Sequence, residues 1–300
     1  MISRYSIFCR VVESGSFTRT ARELGCSQSA VSQAVRALEK ELNLVLIDRR
    51  KKDQVRLTDD GRQIYPYIKA IDSAETALER KKREMDSLED SVIRIGTFTS
   101  VSRNFLPVLL KTFKEEHPGV EFFLRQGEYT SIEKWIREGS IDLGFLNADL
   151  CQGLSMEILY TDPMRAVLPP GHPLSGKGEV SMQELSGEPF ILLDEGDFSL
   201  PLSTFVSLGL TPRIEYRVYD DYSILAMVEQ GLGVSMMYDR VLRGFDTNVR
   251  VVPVRENPER TIALAWGNEE TIPRAAREFA LYAVRSIRAM AGTLKEDPGL

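Results

Sequence analysis

Three hundred residues leave room for about two domains, each large enough to close its own apolar core. A hydrophobic content of 43% and a charged content of 27% predict a soluble globular chain, and no apolar run approaches the ~20 residues of a membrane span. Three scattered cysteines and two histidines argue against a disulfide framework or a transition-metal site, and a net charge of −6 gives no general affinity for nucleic acid.

Tyr5, Phe8, Cys9 and Val12 make the apolar side of a first helix. Phe17, Ala21 and Leu24 follow at i, i+4 and i+7, one stripe on a helix of about two turns. Gly25 stands where a left-handed residue stops a helix, and Ser27 offers its hydroxyl as the N-cap of the next. There Val31, Val35, Leu38 and Leu42 repeat at steps of four, three and four, and so face inward. The opposite face carries Gln28, Ser29, Ser32, Gln33 and Arg36. Amides, hydroxyls and a guanidinium are the groups that read base edges in a major groove. Helix, tight turn with Gly, helix is the helix-turn-helix pattern, which an ordinary helical hairpin shares. Charge separates the two. Residues 1–58 hold eleven basic and six acidic residues, a net +5, so the remainder carries −11. A basic module on an acidic body fits DNA binding through one end.

Leu44 and Leu46, then Val55 and Leu57, predict a small β-hairpin, or wing, with Arg49, Arg50, Lys51 and Lys52 near its tip. Four cations in a row are either a solvated loop or, as expected beside a helix-turn-helix, a grip on phosphates that adds affinity and salt dependence but no sequence choice. Thr58 is the expected cap of a long helix from Asp59 to about Leu88. Ile64, Ile71, Leu78 and Met85 recur every seven residues along it, a seam for a second copy or for its own domain. Pro66 predicts a kink near its start.

From Ser91 strands and helices alternate. Strands are expected at VIRIGTF, VEFFLRQG, IDLGFL, AVLPP, PFILLD, IEYRVY, GVSMMY and RTIALAW. Helices are expected at Val101–Glu116, Ser131–Glu138, Leu200–Leu208, Ser223–Gln230 and Pro273–Gly292. This alternation predicts an open α/β sheet of parallel strands with sites at their carboxyl ends. In TFTSVSR, Thr99 and Ser100 stand where a strand passes into a helix, either as a plain cap or as a cap that also holds an anionic group. Thr130 and Ser131 after GEY, Asn147 after IDLGFL, and Asp194 closing FILLD are further cleft candidates. Asp194, Glu195, Asp197, Asp220 and Asp221 crowd the strand ends, as helix caps and surface charge or as acceptors for an amino group. No phosphate loop, nucleophile elbow or partnered histidine occurs, so catalytic residues are not expected. Cys151 has no resolving cysteine in this region, which argues against a thiol switch.

The set SFTRTARELGCSQSAVSQAVRALEKELNLVLIDRR, then VRLTDDG, a linker helix, IG with Pro107 downstream, and GSIDLGF resembles the LysR-type transcriptional regulators over essentially the whole chain. Thr20 in place of the first of an Ala pair, Ile47 in place of Phe, and Asp60 in place of Ala before Gly61 depart from that pattern. The resemblance implies an α/β protein with an N-terminal winged helix-turn-helix over residues 1–58 and a dimerising linker helix over 59–90. The remaining residues 91–300 would form a periplasmic-binding-protein-like effector domain of two α/β subdomains. These would be 91–161 with 267–300, and 162–266, hinged at Thr161–Asp162 and Trp266–Gly267. It also implies a homodimer or homotetramer, a dyad-like promoter site in double-stranded DNA, and RNA polymerase as a further candidate partner. No cofactor is implied beyond a small-molecule co-inducer, with Ser100 as its leading contact. Gln28, Ser32 and Gln33 would lie nearest DNA, and Arg49 at phosphate. A start without a signal-peptide pattern makes a cytoplasmic location the expectation. The alternative is a cytoplasmic solute-binding module with an accessory helical domain.

Overall fold

The structure, a computed structural model, describes residues 2–48, 55–86, 91–194, 199–244 and 247–293. The chain forms two compact units, Met1–Asp86 with Glu138–Ser140, and Ser87–Arg137 with Ile141–Leu300. The first opens with α1 (Arg4–Ser14), α2 (Phe17–Glu23) and α3 (Gln28–Leu42). Each starts on a serine whose hydroxyl accepts a first-turn N–H: Ser3 from Ser6 at 3.2 Å, Ser16 from Arg19 at 3.3 Å, Ser27 from Ala30 at 3.2 Å. Gly25 turns the chain between α2 and α3 with φ +63°, and the Cys26 N–H closes on the Ala21 carbonyl at 3.0 Å. Phe8, Val11, Val31, Val35 and Leu38 are wholly buried where the three helices meet.

β1 (Ile47–Asp48) and β2 (Arg56–Leu57) pair antiparallel as the base of the wing. Ile47 is buried in the same core, so the shorter side chain still anchors this strand. The expected phosphate contacts Arg49 and Arg50, with Lys51 and Lys52, lie outside the described residues. α4 (Asp59–Asp86) begins where the Thr58 hydroxyl accepts the Gly61 N–H at 2.9 Å, and it continues through Pro66. A Cβ on Gly61 would overlap the Leu46 carbonyl oxygen, so only glycine lets the helix start this close to the wing. Ile68 ties α4 into the core.

The second unit runs β3 (Val92–Thr97), α5 (Thr99–Asn104), α6 (Leu106–Glu116), β4 (Glu121–Gln126), α7 (Tyr129–Arg137), β5 (Leu143–Asn147), β6 (Ser155–Leu168), α8 (Met182–Ser186) and β7 (Pro189–Leu193). It continues α9 (Leu200–Ser207), β8 (Arg213–Val218), α10 (Asp221–Glu229), β9 (Ser235–Tyr238), α11 (Asp239–Leu242), β10 (Arg250–Pro253), β11 (Glu259–Trp266) and α12 (Arg274–Thr293). The expected single helix from Val101 to Glu116 is two, broken at Phe105 with φ −123°. Pro107 has no N–H for the carbonyl four residues back, and its ring crowds that carbonyl.

The sheet is mixed rather than parallel. β3 pairs parallel with β4 and β5, but β11 lies between β5 and β6 and is antiparallel to both. β9 and β10 then add antiparallel to the far end of β6. The chain returns from its second lobe through β11, against the direction of its first strands. The first half of β6 falls outside the expected strand because Pro163 and Asp162 interrupt its pattern. They sit where β6 leaves one lobe for the other. A separate parallel pair, β7 with β8, completes the second lobe. Two cores result. One gathers Ile95, Leu143, Phe145, Ile262 and Phe279, and the other Met164, Leu168, Phe190, Phe205 and Met237.

Candidate nucleic-acid interface and effector cavity

α3 divides its residues between two environments. Gln28, Ser29, Gln33 and Arg36 are exposed and Ser32 is half-buried, while Val31, Val35 and Leu38 on the opposite side have no exposure. Ser27 and Ser29 hydroxyls share a 2.8 Å hydrogen bond that stiffens the first turn. The helix therefore presents amides and a guanidinium on a surface fixed by the core behind it.

In the second unit a cavity of about 480 Å³ opens beyond the carboxyl ends of β3, β4, β7 and β8. These are the ends of two parallel strand pairs, where side chains of successive loops converge. Thr99, Ser100, Ser131 and Asp194 line it. Thr130 and Asn147 are not among its lining residues. Asn147 is buried and accepts the Asp149 N–H at 3.2 Å, closing a short 3₁₀ turn over Ala148–Leu150. Glu195 and Asp197 lie outside the described residues.

At the inner wall Arg260 is 3% exposed. Its Nη2 donates to Asp162 Oδ2 at 2.7 Å and to the Ser100 hydroxyl at 3.0 Å, its Nε to Asp162 at 3.2 Å, and its Nη1 to the Tyr129 hydroxyl. Its guanidinium lies 3.4 Å from the Tyr238 ring centroid and 5.0 Å from that of Phe98. Burial opposes its charge, but Tyr129, Asp162, Tyr238 and Tyr160 outweigh burial and hold the proton on more firmly than in water. Asp162 has no exposure and also accepts the Arg240 backbone N–H at 3.1 Å. Neither Thr99 nor Ser100 caps α5. Its N-cap is Phe98, which has no side-chain cap bond, and the Ser100 hydroxyl is committed to Arg260.

The neighbouring acids differ from each other. Asp220 caps α10, accepting the Ser223 N–H at 2.8 Å and its hydroxyl at 2.7 Å, and these bonds hold its pKa low. Asp221 is 9% exposed and lines the cavity, and its Oδ1 is buried with no hydrogen bond. Burial pushes its pKa up to about 6 against the pull of Arg260. Sequence reasoning missed Arg260 altogether. Its signal was legible: one cation at the head of the otherwise apolar strand TIALAW. Cys151 is buried, its thiol points at the Asn147 carbonyl at 3.6 Å, and burial pushes its pKa up to about 11, so it is not thiolate at neutral pH.

Comparison with known proteins gives this geometry a family. The model for the bacterial regulatory helix-turn-helix protein, lysR family, matches residues 2–62, and that for the LysR substrate binding domain matches residues 87–287. An uncharacterized HTH-type transcriptional regulator of Bacillus subtilis, YvbU, is 30% identical over 282 residues, covering 93% of this chain and 96% of its own. The crystal structure of HinK, a LysR family regulator from Pseudomonas aeruginosa, aligns with a TM-score of 0.60 and 29% identity, over 95% of this chain and 97% of that one. Full-length CbnR complexed with its target DNA shares the fold with a TM-score of 0.66 at 20% identity, over 95% of this chain and 98% of that one. No helix among the described residues is long and apolar enough to cross a membrane. The helix-turn-helix match disfavours a solute-binding module without DNA readout. The chain belongs to the LysR family, transcriptional regulators that join a helix-turn-helix DNA-binding domain to a domain for a small-molecule effector.

Proposed function

We propose that α3 reads a dyad-like promoter site with Gln28, Ser29, Ser32, Gln33 and Arg36, while Arg49 and Arg50 hold phosphates. The carrying observation is the division of α3 into a dry apolar side and an exposed, carboxylate-poor side. Such a face fits a major groove, where a bidentate amide or guanidinium contact contributes roughly 1–3 kcal/mol of discrimination. Tyr67, Ile71, Ala74 and Leu78 lie exposed along one side of α4, at steps of four, three and four. That stripe supports pairing of two copies through this helix, as a homodimer or a tetramer built from dimers.

The linker helix, residues 59–90, then separates the reading head, residues 1–58, from the effector domain, residues 91–300. We place the effector in the 480 Å³ cavity, against Thr99, Ser131 and Asp194, with Ser100 holding Arg260 behind them. Residues 91–161 with 267–300 would turn against 162–266 about Thr161–Asp162 and Trp266–Gly267. The effector must bind one arrangement better than the other to shift the DNA-bound state and the recruitment of RNA polymerase. A cytoplasmic location follows from such a role.

A DNase footprint on the DNA flanking the gene tests the reading, with wild type beside Gln28→Ala at two salt concentrations. A protected dyad that weakens with salt and degrades with the substitution is expected. Equal protection by both proteins over the whole DNA would remove α3 as the reading element.

A further inference from the structure

The effector cavity carries three acidic residues against one basic residue in its lining. Arg260 is the single basic residue among those described as lining it, and its charge is already balanced by Asp162 from outside the lining. Asp194, Glu128 and Asp221 are the acidic residues there. Asp221 is the informative one. It is 91% removed from solvent by the 9% exposure given above, and it has a carboxylate oxygen that receives no hydrogen bond. Asp220 immediately before it already caps α10, so Asp221 is not needed as the cap. A buried carboxylate oxygen without a hydrogen bond is disfavoured, and a donor arriving in the cavity would satisfy it. The carboxylate turns over a broad χ2 well, so either oxygen can meet a donor placed in the cavity. Elsewhere in the cavity lining the rings of Phe98, Tyr129, Trp135 and Tyr219 supply apolar wall.

We propose that Asp221 receives the protonated nitrogen of the effector, so that this regulator responds to a small amine whose apolar part lies on the aromatic wall. This rests on the cavity being the effector site. An anionic effector would meet an acidic lining whose one guanidinium is already paired, and it would leave Asp221 unpartnered on closure. An ammonium group supplies up to three donors and the opposite charge, and so removes the defect.

The test uses the full-length protein in titration calorimetry with three matched probes: 2-phenylethylamine, 2-phenylethanol and 3-phenylpropanoate. The amine should bind wild type about ten- to a hundred-fold more tightly than the alcohol, as a charge-assisted hydrogen bond provides. Asp221→Asn, nearly isosteric, should remove that margin while the melting temperature shows the fold intact. Thr99→Trp, at the exposed rim, should block the amine. Tighter binding of the propanoate than of the amine, no binding of the amine, or an amine affinity unchanged in Asp221→Asn each overturns the assignment. If Thr99→Trp still blocks the alcohol or propanoate in those cases, the cavity stands and only its chemistry is misassigned. If probes bind and Thr99→Trp changes none of them, the cavity itself is not the site.

Discussion

Asp162→Ala should be the most damaging single substitution in the effector domain that removes no apolar contact. Asp162 and Arg260 are paired at 2.7 Å with side-chain exposures of 0% and 2%. Removing the acid leaves a guanidinium in the interior with only the Tyr129 and Ser100 hydroxyls as acceptors, and it orphans the Arg240 N–H. Breaking one side of a buried ion pair costs about 3–5 kcal/mol, because the remaining charge has neither water nor counter-ion. For a unit of roughly 200 residues this lowers the melting temperature by about 10 °C. Urea unfolding followed by tryptophan fluorescence reads it directly, since both tryptophans, Trp135 and Trp266, lie in this unit. Replacing both partners, Asp162→Leu with Arg260→Met, should recover more than half of the loss, since no charge is then stranded. A loss under about 1 kcal/mol for Asp162→Ala would refute the reasoning and show that the two hydroxyls suffice to hold the charge.

Other expectations follow from the same geometry. Asp221 has a folded pKa of about 6 against 3.8 for the free group, so it favours folding when protonated. Wild-type stability should therefore fall relative to Asp221→Asn as pH rises from about 4 through about 6, by roughly 3 kcal/mol in total, and the difference should stay level above that. Melting curves of both proteins across that range measure it, and parallel curves would contradict it. Gly61→Ala should cost the first unit about 1–3 kcal/mol, because the new Cβ meets a backbone carbonyl that cannot swing aside; circular dichroism during urea unfolding checks this. Leu78→Glu, at a position 70% exposed, should leave each chain folded but shift sedimentation toward monomer, and an unchanged oligomer would exclude this face of α4.

Local chemistry was the legible part. Ser27, Gly25 and the Val31–Val35–Leu38 stripe state their helix ends and inward face in the sequence, and the structure places all of them so. Ser100 and Asp194 were legible as cavity residues from their place after strands, because the end of a strand pair is where loops converge. The roles were less legible. Whether the Ser100 hydroxyl caps a helix or braces an arginine depends on Arg260, which is 160 residues away and meets it only through the antiparallel return of β11. Asp220 and Asp221 are adjacent and chemically identical in sequence, yet one is a solvated cap and the other a dry wall. One residue of phase along the first turn of α10 decides that, and phase at a helix start is the least certain thing a pattern gives. The division at Phe105 was written in Pro107 and lost under the apolar periodicity around it.

The position of β11 has a consequence for synthesis. The second lobe draws its core from Met164 to Val254, one uninterrupted stretch, and can close as soon as that stretch has left the ribosome. The first lobe cannot. Its sheet lacks the strand between β5 and β6 until Trp266 emerges, and its core lacks α12 until later still. The lobe translated first is thus finished last, and through that interval β5 has a bare edge where β11 will dock. A nascent chain paused between Val254 and Trp266 exposes that edge, whose unpaired N–H and C=O groups are a template for any other strand.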